Sequence, residues 1–449
     1  MSQRRLELLF LWPILTVTWA TVRLDTSLVS LTYSDLLISL FLAGFAWDRL
    51  RRRDLSLHRS AAAVTGFMLV FLAVYLCGYF DLKTKQAVSF WSKGIGAWLA
   101  HALFLICGVA LLARGGRRLY VRTVRWFTAG IAICAVYGVV QLAVKVGAGI
   151  NLDRIVVGAL TLGHGKTTGI NVYGQVAGTS NVYRINALTG DPNHLGVMLC
   201  VPLLMLLPYY LAHPRGRRRI GGLLVFLAAV QVLTLSRSAA LGDVVGMIIL
   251  LPWIRPILPR ARVIATALGG LAALAAVAYS TSHFVQSVVH SRTNLSGRGT
   301  LVHFEFYQLV PPALDPNPLF GMGFNTFAVF YQYVTGKADF SPHSFWVATL
   351  VETGMVGLVV YLVWFAYLTL SAVAIGRSSD EDAARFGSGL LAALAGTAAA
   401  NFFYLTMQFS YFFVVAMLVV SGALLFAPAR VAERRVAPAT GTAAGTLEA

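Results

Sequence analysis

The chain is poor in charge. Only 12% of its 449 residues are Asp, Glu, Lys or Arg, while 57% are hydrophobic; globular domains carry about 25% charged residues. That shortage excludes a soluble enzyme and, with it, the disordered and collagen-like classes. Cysteine is scarce as well. The four present, Cys77, Cys107, Cys134 and Cys200, each sit in an apolar run and read as small buried hydrophobes, with no disulfide or zinc framework. Acidic residues are the rarer charge, 18 against 36 basic, for a net charge of +18. In a soluble protein that excess would suggest nucleic acid. Here the Lys and Arg enrichment of cytoplasmic loops accounts for most of it, so no nucleic-acid partner is expected.

What the chain has in abundance is hydrophobic runs, and they define the fold class: an all-α polytopic membrane protein. A spanning helix needs about 20 mostly apolar residues, and about twelve such runs occur, near 6–22, 33–47, 59–79, 94–113, 124–146, 193–211, 220–236, 238–254, 262–282, 344–375, 386–407 and 409–427. Basic residues fix the orientation. Arg49 and Arg51 to Arg53, then Arg114, Arg117, Arg118, Arg122 and Arg125, then Arg215 and Arg217 to Arg219, then Arg255, Arg260 and Arg262 fall in alternate loops, which marks that side as cytoplasmic. Both termini are then cytoplasmic too. The first run reads as an uncleaved anchor, because no small-residue cleavage site follows it.

One transmembrane domain over 1–427 is therefore expected, with a disordered cytoplasmic tail over 428–449 that is rich in Ala, Thr, Gly and Pro. Two segments, about 147–192 and about 283–343, fall outside and are far longer than a connector needs; the second lies between the ninth and tenth spans. Segments of that kind carry function more often than not. Within the second, Leu301–Val310 has the pattern of a short helix lying on the membrane surface, with Phe304, Phe306, Tyr307 and Leu309 toward lipid.

Several familiar chemistries find no support. Gly165-Lys166-Thr167 resembles the end of a phosphate-binding loop, but Leu160 stands where that loop's first Gly belongs. Asp380-Glu381-Asp382 reads as a solvated, helix-capping cluster rather than a metal site. No His or Cys pair has zinc spacing, and no Gly-x-Ser-x-Gly elbow occurs. No metal or other cofactor is expected.

What remains is a set of basic residues on the outer side, against the positive-inside bias. Arg184 precedes Gly190-Asp191-Pro192-Asn193-His194; Arg237 sits between runs seven and eight in Leu235-Ser236-Arg237-Ser238; Arg298 closes Ser296-Gly297-Arg298; His343 lies in Pro342-His343-Ser344, where the chain re-enters the membrane. Arg offers a permanent charge and a fork of donors matched to phosphate oxygens. Several of them could stabilise a lipid pyrophosphate as it leaves. A His, with an ordinary pKa near 6.5, can take a proton from an attacking hydroxyl. Each also has a plainer reading: any one outer Arg is as readily a lipid-headgroup contact, and His343 alone an interfacial histidine. Asp191 reads first as the cap of the helix after Pro192, with contact to a substrate hydroxyl, shared with Asn193, as the alternative.

The order of the motifs adds a further reading. Gly190-Asp191-Pro192-Asn193-His194-Leu195-Gly196, Leu235-Ser236-Arg237-Ser238, Ser296-Gly297-Arg298, Gly321-Met322-Gly323-Phe324-Asn325-Thr326, Pro342-His343-Ser344 and Glu352-Thr353-Gly354 follow one another. The set resembles the bacterial O-antigen ligase and O-antigen polymerase superfamily over about 184–360. The resemblance implies a GT-C-like glycosyltransferase in the inner membrane of a Gram-negative bacterium, with its active site on the periplasmic face. Such a ligase would move polysaccharide from undecaprenyl pyrophosphate to a sugar hydroxyl of lipid A-core, with no metal or ATP. His343 would be the base, and Arg184, Arg237 and Arg298 would hold the pyrophosphate or donor sugar. A polymerase or a protein O-oligosaccharyltransferase of the same superfamily would differ in acceptor. A transporter of lipid-linked glycans is the non-enzymatic alternative; against it, ionisable residues deep in the spans are few, with Asp243 and Glu352 the partial exceptions.

Overall fold

The computed structural model describes residues 2–25, 30–54, 56–163, 169–176, 180–258, 307–336 and 343–427, with scattered positions between 273 and 289. The run near 262–282 lies largely, and the tail 428–449 wholly, outside the described residues. Helices occupy the other hydrophobic runs: α1 (Gln3–Thr16), α2 (Tyr33–Arg52), α3 (Arg59–Tyr79), α4 (Lys85–Ala148), a short outer α5 (Leu152–Leu160), α6 (Pro192–Ala212), α7 (Arg218–Thr234), α8 (Arg237–Ile254), two short helices α9 (Val310–Leu314) and α10 (Phe327–Thr335), then α11 (Phe345–Gly376), α12 (Glu381–Ala400) and α13 (Ser410–Phe426). Five of these, α3, α4, α6, α8 and α11, are by length and composition apolar enough to cross a membrane. The protein is a polytopic helical membrane protein.

The all-α expectation needs one amendment. Two antiparallel hairpins are present, β1 (Arg23–Asp25) with β2 (Ser30–Thr32), and β3 (Asn171–Val176) with β4 (Ser180–Arg184). Both lie between helices, where polar residues interrupt the hydrophobic runs.

Helix starts follow capping rules. Asp191 caps α6 ahead of Pro192, Thr32 and Asp35 form a reciprocal capping box on α2, and Asp380 caps α12. The last agrees with the capping reading of the acidic triplet. Asp380 also pairs with Arg117 at 2.5 Å and Asp382 with Arg217 at 2.6 Å. With Arg122–Glu7 and Arg114–Asp48, these pairs gather the basic connections onto one face. The two runs within α4 are joined there by a reversal at Gly116 (φ 60°, ψ −160°). Within the bundle α12 lies against α6 and α8 through small residues; a Cβ on Gly389 would sit 2.4 Å from the Met205 carbonyl, and one on Gly396 2.5 Å from that of Gly242. Small residues let backbones approach where no hydrophobic force drives association. The α13 helix is buried at every position from Tyr411 to Gly422 and forms the centre of the bundle.

The feature that positions the site is a break in α11. Run 344–375 looks continuous in sequence, but Gly354 adopts φ 67°, ψ −170° and splits the helix after nine residues. The break opens two helical hydrogen bonds, and residues 318–323 fill the gap. Met322 and Gly323 donate to the carbonyls of Val351 (3.0 Å) and Glu352 (3.1 Å), while the N–H groups of Met355 and Val356 donate to Pro318 (2.9 Å) and Leu319 (3.1 Å). Backbone groups freed at membrane depth must find such partners. The Glu352 carboxylate secures the same loop, accepting from the N–H groups of Asn325 (2.9 Å) and Phe327 (3.1 Å). Phe324 stacks on Tyr75 at 4.1 Å.

A Cβ at residue 354 would stand 2.2 Å from the Leu319 carbonyl oxygen, in a backbone region that only Gly occupies readily. Gly354→Ala is therefore expected to cost roughly 3 kcal/mol or more and to lower the unfolding temperature in detergent clearly. Gly66→Ala, which meets nothing within 4 Å on α3, should be neutral. Equal melting of Gly354→Ala and wild type, followed by tryptophan fluorescence, would show that the break is not a constraint.

Candidate active site

The short turn between α12 and α13 is the floor of the site. Asn401 is fully buried and holds that turn with its whole amide. Its Nδ2 donates to the Thr397 carbonyl (2.7 Å) and to Thr406 Oγ1 (2.8 Å), and its Oδ1 accepts from the N–H groups of Thr406 (2.6 Å) and Met407 (3.1 Å). The predicted run 386–407 overreached here: the helix ends at Ala400, because Asn401 takes over the backbone groups that a further turn would have used.

The first half of α11 is docked on this floor. The Phe345 N–H donates to the carbonyls of Asn401 (2.9 Å) and Tyr404 (2.8 Å), and Ser344 caps the helix by accepting from the Val347 N–H. His343 is thereby fixed at the mouth of the broken span. Tyr307 adds another tie, donating from its hydroxyl to the Phe402 carbonyl at 2.8 Å. Its polar end thus faces the turn, contrary to the expected lipid-facing surface helix. Phe304 and Phe306 lie outside the described residues.

The start of α6 approaches from the other side. Asp191 Oδ1 accepts from the N–H groups of Asn193 (2.7 Å) and His194 (3.1 Å), so the capping reading of Asp191 holds. The Tyr404 hydroxyl is close enough to the same carboxylate for that charge to act on it, and His194 stacks on Phe409 at 4.4 Å. Arg184, only 7% exposed, closes the junction at the end of β4. Its Nε donates to the Thr234 carbonyl (2.8 Å) and an Nη to Asn193 Oδ1 (2.8 Å). Gly196 lets the α7–α8 turn come close, since a Cβ there would lie 2.9 Å from Ser236 and Ala239.

Arg184, Asp191, Asn193 and His343 are thus brought together. Asp191 is close enough to act electrostatically on His343, and Arg184 on Tyr404. Burial lowers the His343 imidazole below its ordinary value while the Asp191 charge opposes the shift. Burial and the same carboxylate push the Tyr404 phenol far up. At neutral pH the site therefore presents a neutral imidazole and a protonated phenol.

Arg237 occupies a different position. It is exposed at the first turn of α8, where Leu235 in the left-handed region (φ 51°) and the Ser236 cap break the chain between α7 and α8. Its side chain heads a groove of about 790 Å³ between α6, α7 and α8, walled by residues such as Leu203, Leu207 and Val232, with Gln231 and Asp243 part-way along. Arg298 lies outside the described residues.

Sequence reasoning missed Tyr404 and Asn401, which were absorbed into a hydrophobic run; a lone Asn followed by aromatics near the end of that run was the available signal. It also missed the buried pair of Asp35 and His101, 3.0 Å apart at the outer end of α2. Among the described residues, no three His, Cys, Asp or Glu side chains converge as a metal site.

Residues 222–362 match a family model described as O-antigen ligase. No curated protein matches the chain. The matched stretch contains Arg237, the loop 318–323, His343, Glu352 and the break at Gly354; Arg184, Asp191, Asn193 and Tyr404 lie outside it and are joined to it by the contacts above. Over that stretch the chain is similar to the O-antigen ligase family.

Proposed function

We propose that the protein is an O-antigen ligase: a glycosyltransferase that moves polysaccharide from undecaprenyl pyrophosphate to a sugar hydroxyl of lipid A-core on the periplasmic side of the inner membrane. The observation that carries this reading is the placement of a neutral, half-buried His343 at one junction with Asp191 and Arg184, beside a lipid-facing groove headed by Arg237. A hydroxyl acceptor needs a base, and a lipid pyrophosphate donor needs both an apolar channel and a cation at its head.

In this reading His343 takes the proton of the acceptor hydroxyl. The resulting oxygen attacks the anomeric carbon of the first donor sugar, the bond from that carbon to the pyrophosphate oxygen breaks, and undecaprenyl pyrophosphate leaves with the electron pair. Arg237 lies where its charge would meet that pyrophosphate, with Arg298 as its proposed partner. The polyprenyl chain would follow the groove between α6, α7 and α8. Arg184 has two of its donors engaged by Thr234 and Asn193, so it is assigned to holding the junction, with its charge directed at the site. A single displacement inverts the anomeric centre. The donor bond already carries the energy, so no nucleotide is required.

The test uses purified protein in detergent with undecaprenyl-pyrophosphate-linked glycan and lipid A-core, EDTA present and ATP absent. Wild type should shift the acceptor on a gel, and His343→Ala should be slower by about 10²–10⁴-fold. Comparable product from His343→Ala would remove it as the base. Chain growth from lipid-linked repeats alone, without transfer to lipid A-core, would assign a polymerase. Retention at the new linkage would overturn the single displacement.

Two further outcomes follow from the electrostatics. Because burial holds His343 below its ordinary value, activity should persist as pH falls through about 6.5 and be lost only when the imidazole protonates. Asp191 opposes that shift, so Asp191→Asn, which keeps a helix cap, should move the acid limb of kcat/KM lower still. An acid limb that stays put or rises contradicts the pairing. Arg237→Ala should reduce kcat/KM for the lipid-linked donor by about tenfold or more with unchanged melting; unaltered donor kinetics would exclude Arg237 from the pyrophosphate site.

A further inference from the structure

A second crevice, of about 440 Å³, opens at the basic face between the outgoing half of α4 and the ends of α6, α7, α12 and α13. Its position excludes the chemistry of the outer site. Along α4 its lining runs from Arg117 at the mouth to Ala132; below the mouth, from Val121 to Ala132, that is a rise of roughly 16 Å, about half of a hydrocarbon core of about 30 Å. The crevice is therefore one leaflet deep.

Its lining is ordered by depth. At the mouth, Arg117 is occupied by Asp380 and lies over the Phe426 ring, while Asp382 is occupied by Arg217. The carboxylates at the mouth are thus already neutralised. Arg125 also lines the crevice, is exposed, and forms no ion pair among the described residues. Thr128, three residues further on, is only 8% exposed, and its hydroxyl has no hydrogen-bond partner among the described residues although helical Thr commonly bonds back to a carbonyl one turn earlier. It stands one turn below Arg125 on the crevice-facing side of α4, roughly 4.5 Å deeper. Below Thr128 the walls are apolar, formed by residues such as Ala132, Leu206 and Leu223.

A free cation, then an unpartnered buried hydroxyl, then an apolar slot one leaflet deep is the sequence of groups that complements a phosphodiester, an ester carbonyl and acyl chains. We propose that this crevice binds an anionic glycerophospholipid of the leaflet at the basic face, with its phosphate on Arg125, one ester carbonyl accepting from Thr128, and an acyl chain against Leu206 and Leu223. Basic pockets between membrane helices on this side are suited to anionic headgroups. The Thr128 hydroxyl, which would otherwise be an unmatched donor in hydrocarbon, gives the site a preference for ester-linked lipid. This inference does not depend on the outer site's activity.

The full-length protein is equilibrated in mixed micelles with phosphatidylglycerol, its ether-linked analogue, or phosphatidylcholine of the same chains, and bound lipid is counted by native mass spectrometry. Wild type should retain phosphatidylglycerol over phosphatidylcholine, and Arg125→Gln should lower that retention about fivefold. Arg118→Gln, on the same end of α4 but outside the crevice, should not. Ether-linked lipid should be held less well than ester-linked lipid by wild type and equally well by Thr128→Val, a nearly isosteric change. Equal retention by Arg125→Gln and wild type, an equal loss in Arg118→Gln, or an ester preference that survives in Thr128→Val would overturn the assignment.

Discussion

Two hydrogen bonds missing from one helix govern the outer half of this molecule. At Gly354 the α11 helix gives up the bonds that would join Val351 to Met355 and Glu352 to Val356, and residues 318–323 supply a substitute for each of the four groups. In hydrocarbon, an unmatched N–H or C=O costs several kcal/mol, so break and loop are conditional on one another. The loop is also tied to α3 and α4, by Phe324 on Tyr75 (4.1 Å) and by Asn325 Nδ2 donating to the Phe90 carbonyl (2.7 Å), but the break cannot persist without it. The carboxylate of Glu352 turns this local repair into a joint by also holding Asn325 and Phe327. An acidic residue within a span, which from sequence alone counts as a functional candidate, is thereby given a structural task.

The consequence reaches the site through nine residues. Once bent, the first part of α11 can lay its N-terminus on the turn at 401–404, and His343 comes to rest beside Asp191 and Tyr404. Segments far apart in the chain therefore converge on a few polar contacts: the hairpin end with Arg184, the cap of α6, the α7–α8 turn, the re-entry at His343, and the last outer turn. The family match covers only residues 222–362. Arg184 and Tyr404, on either side of that stretch, tie the remainder of the chain to it.

Much of this was legible in sequence, for reasons that can be named. Hydrophobic length gave the helices, because the bilayer makes length a constraint, and Asp191 before Pro192 announced a helix start through local capping chemistry. The break at Gly354 was not legible in the same way. Glycine inside an apolar run is common, and only the excess length of run 344–375 hinted that it was more than one straight crossing. The motifs around Gly321 and Glu352 were visible as motifs, but their mutual hydrogen bonds are long-range and carry no periodicity. Tyr404 was hidden for a related reason: Asn401 ends α12 by side-chain hydrogen bonds among apolar neighbours, where hydropathy sees only a continuing run. The hairpins were missed because each strand is too short for alternation to stand out.

The charges at the outer junction argue for a division of labour among its arginines. Arg184 is buried, has two donors committed to Thr234 and Asn193, and stands with Tyr404 and the Asp191 carboxylate. In the proposed reading, a doubly charged leaving group needs a cation that can reach it from the membrane. Arg237 is exposed, and it stands at the head of a groove that runs from the outer junction region along an apolar channel between α6, α7 and α8. In the same reading, an exposed charge at the lipid entrance and a fixed charge within the junction would separate two requirements that a single arginine could not satisfy, capture of a mobile pyrophosphate and a rigid setting for His343.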